Sequence, residues 1–375
     1  MFLIKFLVQK ACFFAYLFCM KLLLILCAFL LPNILFSQVS RNLKAFYNAD
    51  STLVGYHDRQ GKVIIPASIK PISVIPRAFD NIISVIDWSD PEESEYYFLT
   101  KTGRKVGNDS LYYFDNVPDC ESEGFSRFYD RANDLVGMLN SEGDIQIPAI
   151  YNGLGRVKNG MIPALKGAQR KRDSPDDEHS YFEGGKSMLI DTNNQVLIED
   201  FPYNDNLNFY QVSINGSMPE DSSWVKFNGK DGNTYAFMDY VKEFENLFPK
   251  LFSKDITAEQ LIANSYDSIA YWNDDLNQWV FEDSPKYMNR QVDKIKQLFE
   301  SVIDGSKKYS TIKSSLNYFI FESESYQKFL DQCGDSLDAK YPVLSLTVYF
   351  EFPTVGVTFE FLRTDEGYKL ILVNF

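Results

Sequence analysis

A short pattern of strand, polar turn and strand recurs about every 40 residues, and it constrains the fold more than any other feature. The turn residues that match in register are Gly61, Gly103, Gly143 and Asn194, at intervals of 42, 40 and 51 residues. Glycine and asparagine tolerate the positive φ that a tight hairpin requires. The pattern therefore predicts tandem β-hairpins.

The recurring segments comprise residues 54–66, 96–106, 136–148 and 187–198, and the charged insertion 169–178 accounts for the longest interval. One such unit cannot bury its apolar face alone, so it must pack on its neighbours. We therefore expect a mainly β repeat array. The pattern is compatible with a solenoid or with a propeller-like arrangement of hairpins and meanders.

The first and third copies share Ile-Pro in their second strand, at Ile65-Pro66 and Ile147-Pro148. Because proline has no N–H to donate to a ladder, we expect strand pairing to end there. Residues 234–239 resemble the strand of a last, degraded hairpin. The repeat domain is assigned to residues 38–238.

The repeat motifs resemble the WG (KWG) repeat family over about residues 50–240. The signature Trp-Gly is absent, because its first position holds Val54 or Val136. The resemblance implies a repeat scaffold, often exported, without a general catalytic activity. The best-matching positions are Gly55-Tyr56, Gly61, Ile65-Pro66, Gly137-Met138, Gly143, Ile147-Pro148 and Tyr151.

The first 37 residues carry three lysines and no acidic residue, and residues 22–36 are almost wholly apolar. A basic start followed by an apolar run and a small residue is typical of a signal peptide. We expect translation to begin at Met20 and cleavage to fall between Ser37 and Gln38. The predicted location is periplasmic, cell-surface or extracellular. A retained membrane anchor is the alternative.

The chain is acidic, which argues against several classes of partner. Without the three leader lysines, the formal net charge falls from −14 to −17. Nucleic-acid binding depends on basic side chains that neutralise phosphates, so a nucleic-acid partner is not expected. We also expect no stable membrane span once the leader is removed. We therefore expect the partner to be an unknown protein or carbohydrate.

Two cysteines, Cys120 and Cys333, lie outside the leader. We assign them to different domains and expect two isolated buried thiols. A disulfide is the alternative, since an oxidising compartment permits one.

Residues 239–375 have a different pattern, which predicts an α+β domain of helices followed by an antiparallel meander. The element order is loosely similar to cone-shaped folds of the nuclear transport factor type, which implies a pocket between helix and sheet. The expected helices are 240–248, 257–270 and 285–303, and the expected strands are 344–350, 355–361 and 368–375.

The sequence offers little for catalysis or metal binding. Its two histidines, His57 and His179, lack the spaced partners of a zinc site. The run 191–195 begins like a calcium loop, but Val196 replaces the required glycine, so we interpret it as a hairpin turn. We assign no catalytic, cofactor-binding or metal-binding residues.

One aromatic stretch in the C-terminal domain offers a binding surface. Tyr271, Trp272 and Trp279 lie among amides and carboxylates, a composition that suits a sugar or peptide contact. Partial burial against the helices is the alternative. The leading hypothesis is an exported, non-catalytic interaction or envelope scaffold. The alternative is a small-ligand carrier or an enzyme with its pocket in residues 239–375.

Overall fold

The structure is a computed structural model that describes residues 43–375, apart from 72–74, 89, 91–93, 115, 175–178, 217–221, 254 and 352. The predicted leader, residues 1–37, lies outside the described residues. The protein is mainly β, with many small antiparallel sheets, as the repeat pattern predicted. Among the described residues, no helix is both long enough and apolar enough to cross a bilayer.

Residues 43–239 form five small sheets of three or four strands each. In chain order the first sheet contains β1–β4, the second β5–β7, the third β10–β12, the fourth β13, β14, β17 and β18, and the fifth β19–β21. The strands are β1 (Leu43–Tyr47), β2 (Val54–His57), β3 (Val63–Ile69), β4 (Ala78–Phe79), β5 (Ile82–Asp87), β6 (Glu95–Thr100), β7 (Lys105–Val106), β8 (Tyr113–Phe114), β9 (Val117–Pro118), β10 (Ser126–Asp130), β11 (Leu135–Leu139), β12 (Ile145–Tyr151), β13 (Gly153–Leu154), β14 (Met161–Lys166), β15 (Gln169–Lys171), β16 (Tyr181–Glu183), β17 (Lys186–Asp191), β18 (Val196–Glu199), β19 (Leu207–Ile214), β20 (Trp224–Asn228) and β21 (Thr234–Asp239).

Each sheet shares a buried apolar core with the next sheet along the chain. Tyr56 of the first sheet packs in one cluster with Val85 of the second. Ile82 and Leu139 join the second and third sheets. The third and fourth share a core, and so do the fourth and fifth. Stacking on sequence neighbours supplies the burial that one hairpin cannot provide alone.

The hairpin turns have one geometry in all five sheets, which confirms the four predicted turns. The N–H of the fourth residue donates to the carbonyl of the first, and the N–H of the first donates to the carbonyl of the fifth, at 2.7–3.2 Å. The fourth residue has φ between 64° and 83°. This conformation explains the recurring Gly or Asn. The turns are Asp58–Lys62, Thr100–Arg104, Asn140–Asp144, Asp191–Gln195 and Gly229–Asn233.

The prediction that proline ends strand pairing is wrong. β3 continues through Pro66 to Ile69, and β12 continues through Pro148 to Tyr151. Both strands lie at a sheet edge and have a bulge in their pairing at the proline, so the missing N–H disturbs no ladder bond. The partner strand has a glycine opposite the bulge, because the two backbones approach closely there. A Cβ on Gly137 would lie 2.7 Å from the Ile147 carbonyl oxygen.

The fifth sheet departs from the others in strand order. The strand predicted at residues 234–239 exists as β21, but it lies between β19 and β20, whereas the first strand of the hairpin is central in the other four sheets. The charged insertion in the fourth sheet begins as β15, which pairs with β16 as a separate ribbon.

Residues 240–375 form an α+β unit around one six-stranded sheet, whose strand order is β23-β22-β27-β26-β25-β24. Its last two hairpins confirm the predicted meander. Its elements are α1 (Tyr240–Leu251), α2 (Ala258–Ala263), β22 (Ser265–Asn273), β23 (Gln278–Asp283), α3 (Ser284–Ile303), β24 (Tyr309–Ser314), a 3-10 helix (Glu324–Phe329), β25 (Val343–Glu351), β26 (Val355–Thr364) and β27 (Gly367–Asn374).

The second predicted helix is wrong beyond Ala263. Thr257 caps α2 through a capping box with Gln260, but the chain then enters β22 instead of continuing as a helix. β22 pairs with β23 on one side and, in parallel, with β27 on the other. The pairing with β27 supplies a backbone partner from about 100 residues away in sequence, which local periodicity does not reveal.

The two faces of this sheet are covered differently. The helices pack on one face through a large aromatic cluster that includes Phe248, Phe299 and Phe361. Part of the opposite face is covered by a second cluster from the segment between β24 and β25, including Phe321 and Phe329. The remainder of that opposite face carries the candidate site.

Candidate functional site

The three aromatic residues that the sequence singled out lie on β22 and β23. Tyr271 and Trp272 belong to β22, and Trp279 belongs to β23. Trp272 and Trp279 are directly opposed in the ladder, with ring centroids 5.6 Å apart and an interplanar angle of 76°. Side chains alternate along a strand, so Tyr271 points to the other face of the sheet.

The predicted aromatic surface is therefore split between two faces. Tyr271 packs on the helix side, where its ring centroid lies 5.4 Å from that of Tyr287. Trp279 is half-buried against the cluster formed by the segment between β24 and β25. Trp272 is 37% exposed. The expected partial burial against helices thus describes Tyr271, whereas Trp272 remains accessible.

Polar side chains continue the Trp272 face across the sheet. Thr347 on β25 and Thr358 on β26 are opposed, and their hydroxyl oxygens lie 3.0 Å apart. Asn374 on β27 is opposite Thr358 and exposed. The hydroxyl oxygens of Ser310 on β24 and Tyr349 on β25 lie 2.9 Å apart.

We call this set the platform. It comprises Trp272, Asn374, Thr358, Thr347, Ser310 and Tyr349.

The platform residues are all uncharged, and one carboxyl group lies beside them. Glu360 is two residues from Thr358 on β26 and therefore faces the same side of the sheet. Burial raises the pKa of the Glu360 carboxyl, and a hydrogen bond with Ser345 only partly opposes the shift. The local environment thus disfavours charge on this face.

A second cluster joins the C-terminal unit to the five sheets of residues 43–239, which we call the array. The turn Asp331–Asp335 repeats the geometry of the array hairpins, with the Gly334 N–H donating to the Asp331 carbonyl at 3.1 Å and the Asp331 N–H donating to the Asp335 carbonyl at 2.7 Å. We call it the docking turn. The spacing Asp331-x-x-Gly334 matches Asp58-x-x-Gly61, a signal that the sequence reasoning missed.

The docking turn contacts three loops of the array. Gln332 accepts a hydrogen bond from the Asp80 N–H at 3.3 Å, between the first and second sheets. Cys333 is disulfide-bonded to Cys120, between the second and third sheets. Arg156, in the β13–β14 connection of the fourth sheet, donates to Asp335 at 3.0 Å and to Asp331 at 3.3 Å.

The prediction of two isolated thiols is wrong, because Cys120 and Cys333 form a disulfide with a Cα–Cα distance of 6.2 Å. The two positions are 213 residues apart, so only the docking of the C-terminal unit brings them together. Their sulfur atoms also lie near Asp331, in the manner of a metal-ligand group. Since both sulfurs are committed to the disulfide, neither is available as a thiolate ligand.

Asp119 anchors the array side of this junction. Its buried carboxylate accepts from Arg127 Nη2 at 2.6 Å and from Arg156 Nε at 3.2 Å. Burial alone would raise the pKa of the Asp119 carboxyl, but the two guanidinium groups outweigh it and hold that pKa below its usual range. Asp119 is thus paired with both Arg127 and Arg156 by ionic hydrogen bonds.

A cleft of about 470 Å³ borders the docking turn. Its carboxylates already accept several hydrogen bonds. Glu121 accepts from the Ile82 N–H at 3.1 Å, and Glu123 accepts from the Gly160 N–H at 2.8 Å and from Tyr210 Oη at 2.8 Å. The carboxylates therefore tie neighbouring connections together. The lining residues are Asp80, Asn81, Glu121, Glu123, Gly124, Ser141 and Gln332.

The histidines lie apart from both clusters. His57 is at the end of β2, where its Nδ1 lies 2.6 Å from the Asp58 carbonyl oxygen. His179 precedes β16 in the inserted ribbon. The region between helices and sheet, where a C-terminal pocket was the alternative, is occupied among the described residues by packed rings such as Phe244 against Phe361, with centroids 4.9 Å apart.

Comparison of the chain with models of protein families and with curated protein sequences gave no match.

Proposed function

We propose that this chain is an exported, non-catalytic binding protein in which a WG-like repeat array supports a C-terminal domain that bears the binding surface. The observation that carries the proposal is the docking turn. One five-residue segment is held by a disulfide, by Arg156 and by Gln332 to three different loops of the array. Domains joined only by a linker move relative to one another, whereas this junction favours one rigid body.

The WG-like assignment is supported by the hairpin geometry. Five turns share the same two backbone hydrogen bonds, and the best-matching copies share a glycine opposite an Ile-Pro bulge. A propeller-like array is the arrangement that we favour. Packed sheets lie about 10 Å apart, so a straight stack would separate the connection between the first and second sheets from the fourth sheet by roughly 20 Å or more. A single short turn reaches both more readily if the sheets curve around it.

Export is supported by the Cys120–Cys333 disulfide, since such bonds persist in oxidising compartments and are rare in the cytosol. The non-catalytic assignment is supported by the junction, where Asp119, Arg127 and Arg156 are committed to one another. Their mutual satisfaction suits a structural role.

Export can be tested on the native chain in its own cells. We expect Cys120 and Cys333 to resist a maleimide reagent until a reductant is added, and the mature N-terminus to be Gln38 by mass spectrometry. Immediate labelling of both thiols, together with a retained Met1 or Met20 in the cytosolic fraction, would contradict export.

Binding can be tested with the intact mature chain as bait for envelope material. Trp272→Ala removes the exposed ring of the platform. Trp88→Ala is the matched control, because Trp88 is 47% exposed on the repeat array. We expect Trp272→Ala to lose the captured component and Trp88→Ala to retain it. Equal capture by both variants would place binding elsewhere, and no capture by the wild type would count against a binding role.

A further inference from the structure

The platform is a partly exposed row of side chains: Trp272 and Asn374 are exposed, and the other four are partly buried. Its residues come from β22, β27, β26, β25 and β24, so it crosses five neighbouring strands. Strands in a sheet lie about 4.8 Å apart, which makes the row roughly 19 Å long. Small-molecule sites are usually concave and mostly enclosed. A long, open row suits an extended polymer instead.

The chemistry of the row is that of hydroxyl and amide groups. Thr347, Thr358 and Asn374 can each both donate and accept hydrogen bonds. A sugar hydroxyl has the same dual capacity. Protein interfaces, by contrast, have an apolar core with the polar groups at the rim, and this row has polar groups along its centre.

The absence of charge on the platform residues narrows the chemical class of the ligand further. No platform residue is ionisable near neutral pH, although the chain as a whole has a formal net charge of −14. An anionic polymer would be repelled by the chain and would find no cation on the platform to bind. A cationic partner would likewise find no carboxylate among the six platform residues. An uncharged ligand is the complementary one.

The aromatic end of the row supplies the apolar contact. Trp272 offers a flat apolar face with a single donor at its edge. The neighbouring Trp279 stands edge-on to it at 76°, which restricts the Trp272 ring from one side. The axial C–H groups of a sugar ring form a flat apolar face, so one sugar unit can stack there while the following units lie over Asn374 and Thr358.

We infer that the platform binds a neutral polysaccharide, with one sugar stacked on Trp272 and the following units hydrogen-bonded along Asn374, Thr358 and Thr347. This inference rests on the proposed binding function and names its ligand class.

The test uses the full mature chain in native gels that contain a soluble neutral glucan, mannan, xylan or hydroxyethylcellulose, and in sedimentation with cellulose and chitin. Polygalacturonate serves as the charged comparison. We expect at least one neutral polymer to retard or sediment the wild type and polygalacturonate to have no effect. Trp272→Ala should weaken binding about tenfold or more, as expected for an aromatic side chain that the ligand covers.

Two further variants separate binding from folding. Thr347→Val with Thr358→Val keeps two β-branched residues in the sheet but removes both hydroxyls, so we expect weaker binding with unchanged circular dichroism. Trp88→Ala should bind like the wild type. Binding that survives Trp272→Ala in a folded protein would overturn the inference, as would the absence of binding to every neutral polymer.

Self-association is a separate outcome. Light scattering that shows a wild-type dimer lost in Trp272→Ala would assign the platform to a contact between two copies and would overturn the polysaccharide assignment. Capture of an envelope component that depends on Trp272, without binding to any neutral polysaccharide, would refute this inference and leave the proposed binding function standing.

Discussion

The carboxylate of Asp119 and the guanidinium of Arg127 form a buried, two-point ion pair, with Nη2–Oδ1 at 2.6 Å and Nε–Oδ2 at 3.0 Å. Arg127 also donates to the Leu154 carbonyl at 2.9 Å, and its guanidinium lies 4.3 Å from the centroid of the Tyr112 ring. Through Arg156, the same carboxylate is linked to the docking turn. Asp119 thus connects the array interior with the C-terminal unit.

Asp119→Ala should strongly destabilise the fold, because it leaves a buried guanidinium without its partner. Breaking one side of a buried ion pair costs about 3–5 kcal/mol in the free energy of unfolding. Asp144→Ala is the control, since its ion pair with Arg104 is 64% and 49% exposed and should contribute less than about 1 kcal/mol. Urea denaturation measures both, and similar losses for the two variants would contradict this role for Asp119.

The Asp119 contribution should depend on pH. Because the pKa of the Asp119 carboxyl is lowered in the folded protein, its stabilisation is present above the unfolded pKa of about 3.9. It is lost as the pH falls through the folded pKa. The stability difference between the wild type and Asp119→Asn should therefore be large at pH 7 and shrink in acid. A difference that grows below pH 4 would contradict the assigned direction.

The contribution of Glu360 to stability should depend on pH in the opposite direction. Burial raises the pKa of its carboxyl in the folded protein, so the favourable contribution is present below the unfolded pKa of about 4.3 and is lost as the pH rises through the folded pKa. Glu360→Gln should consequently raise the melting temperature at pH 7 more than at pH 4. Glu351→Gln, at an exposed position of β25, is the control and should change little at either pH.

Removal of the disulfide should lower stability and loosen the junction. Cys120→Ala, Cys333→Ala and the double variant should all lose a similar amount, about 2–5 kcal/mol, because each removes the same cross-link. Denaturant unfolding with and without a reductant provides the measurement, since the reductant should destabilise only the wild type. A double variant that loses clearly more than either single variant would indicate separate roles for the two side chains.

Gly137→Ala should destabilise the third sheet. The added Cβ would lie 2.5 Å from the Phe128 ring and 2.7 Å from the Ile147 carbonyl oxygen. That oxygen belongs to the backbone of β12, so relief of the clash requires a shift of the strand. Overpacking of this kind costs about 1–3 kcal/mol. At Gly153 the nearest atom, Leu165 Cβ, is 3.8 Å from an added Cβ, so Gly153→Ala should be nearly neutral. Equal melting temperatures for the two variants would disprove the close approach.

Local patterns were sufficient where the controlling interaction is local. The hairpins around Gly61 and Gly143 could be predicted because a positive φ selects particular residue types at one position of a tight turn. α3 could be predicted because its apolar residues recur at helical spacing. In the candidate site, Trp272 and Trp279 were identified from their residue types alone.

The platform itself could not be predicted from local patterns. Thr347, Thr358 and Asn374 are unremarkable strand residues, and they share a face with Trp272 only because β22 inserts beside β27. The continuation of β3 and β12 through proline was missed for a related reason. Whether a proline ends a strand depends on which edge of the sheet it faces, and that is set by strand order.

The sequence by itself determined the β-hairpin units and, in the C-terminal half, α1, α3 and the closing meander, because φ preference and apolar periodicity act over a few neighbouring residues. The tertiary structure decided the Cys120–Cys333 bond, the contacts of the docking turn and the composition of the platform. Each of these joins residues that are far apart in the chain, and their proximity follows from how whole sheets pack, which no short stretch of sequence encodes.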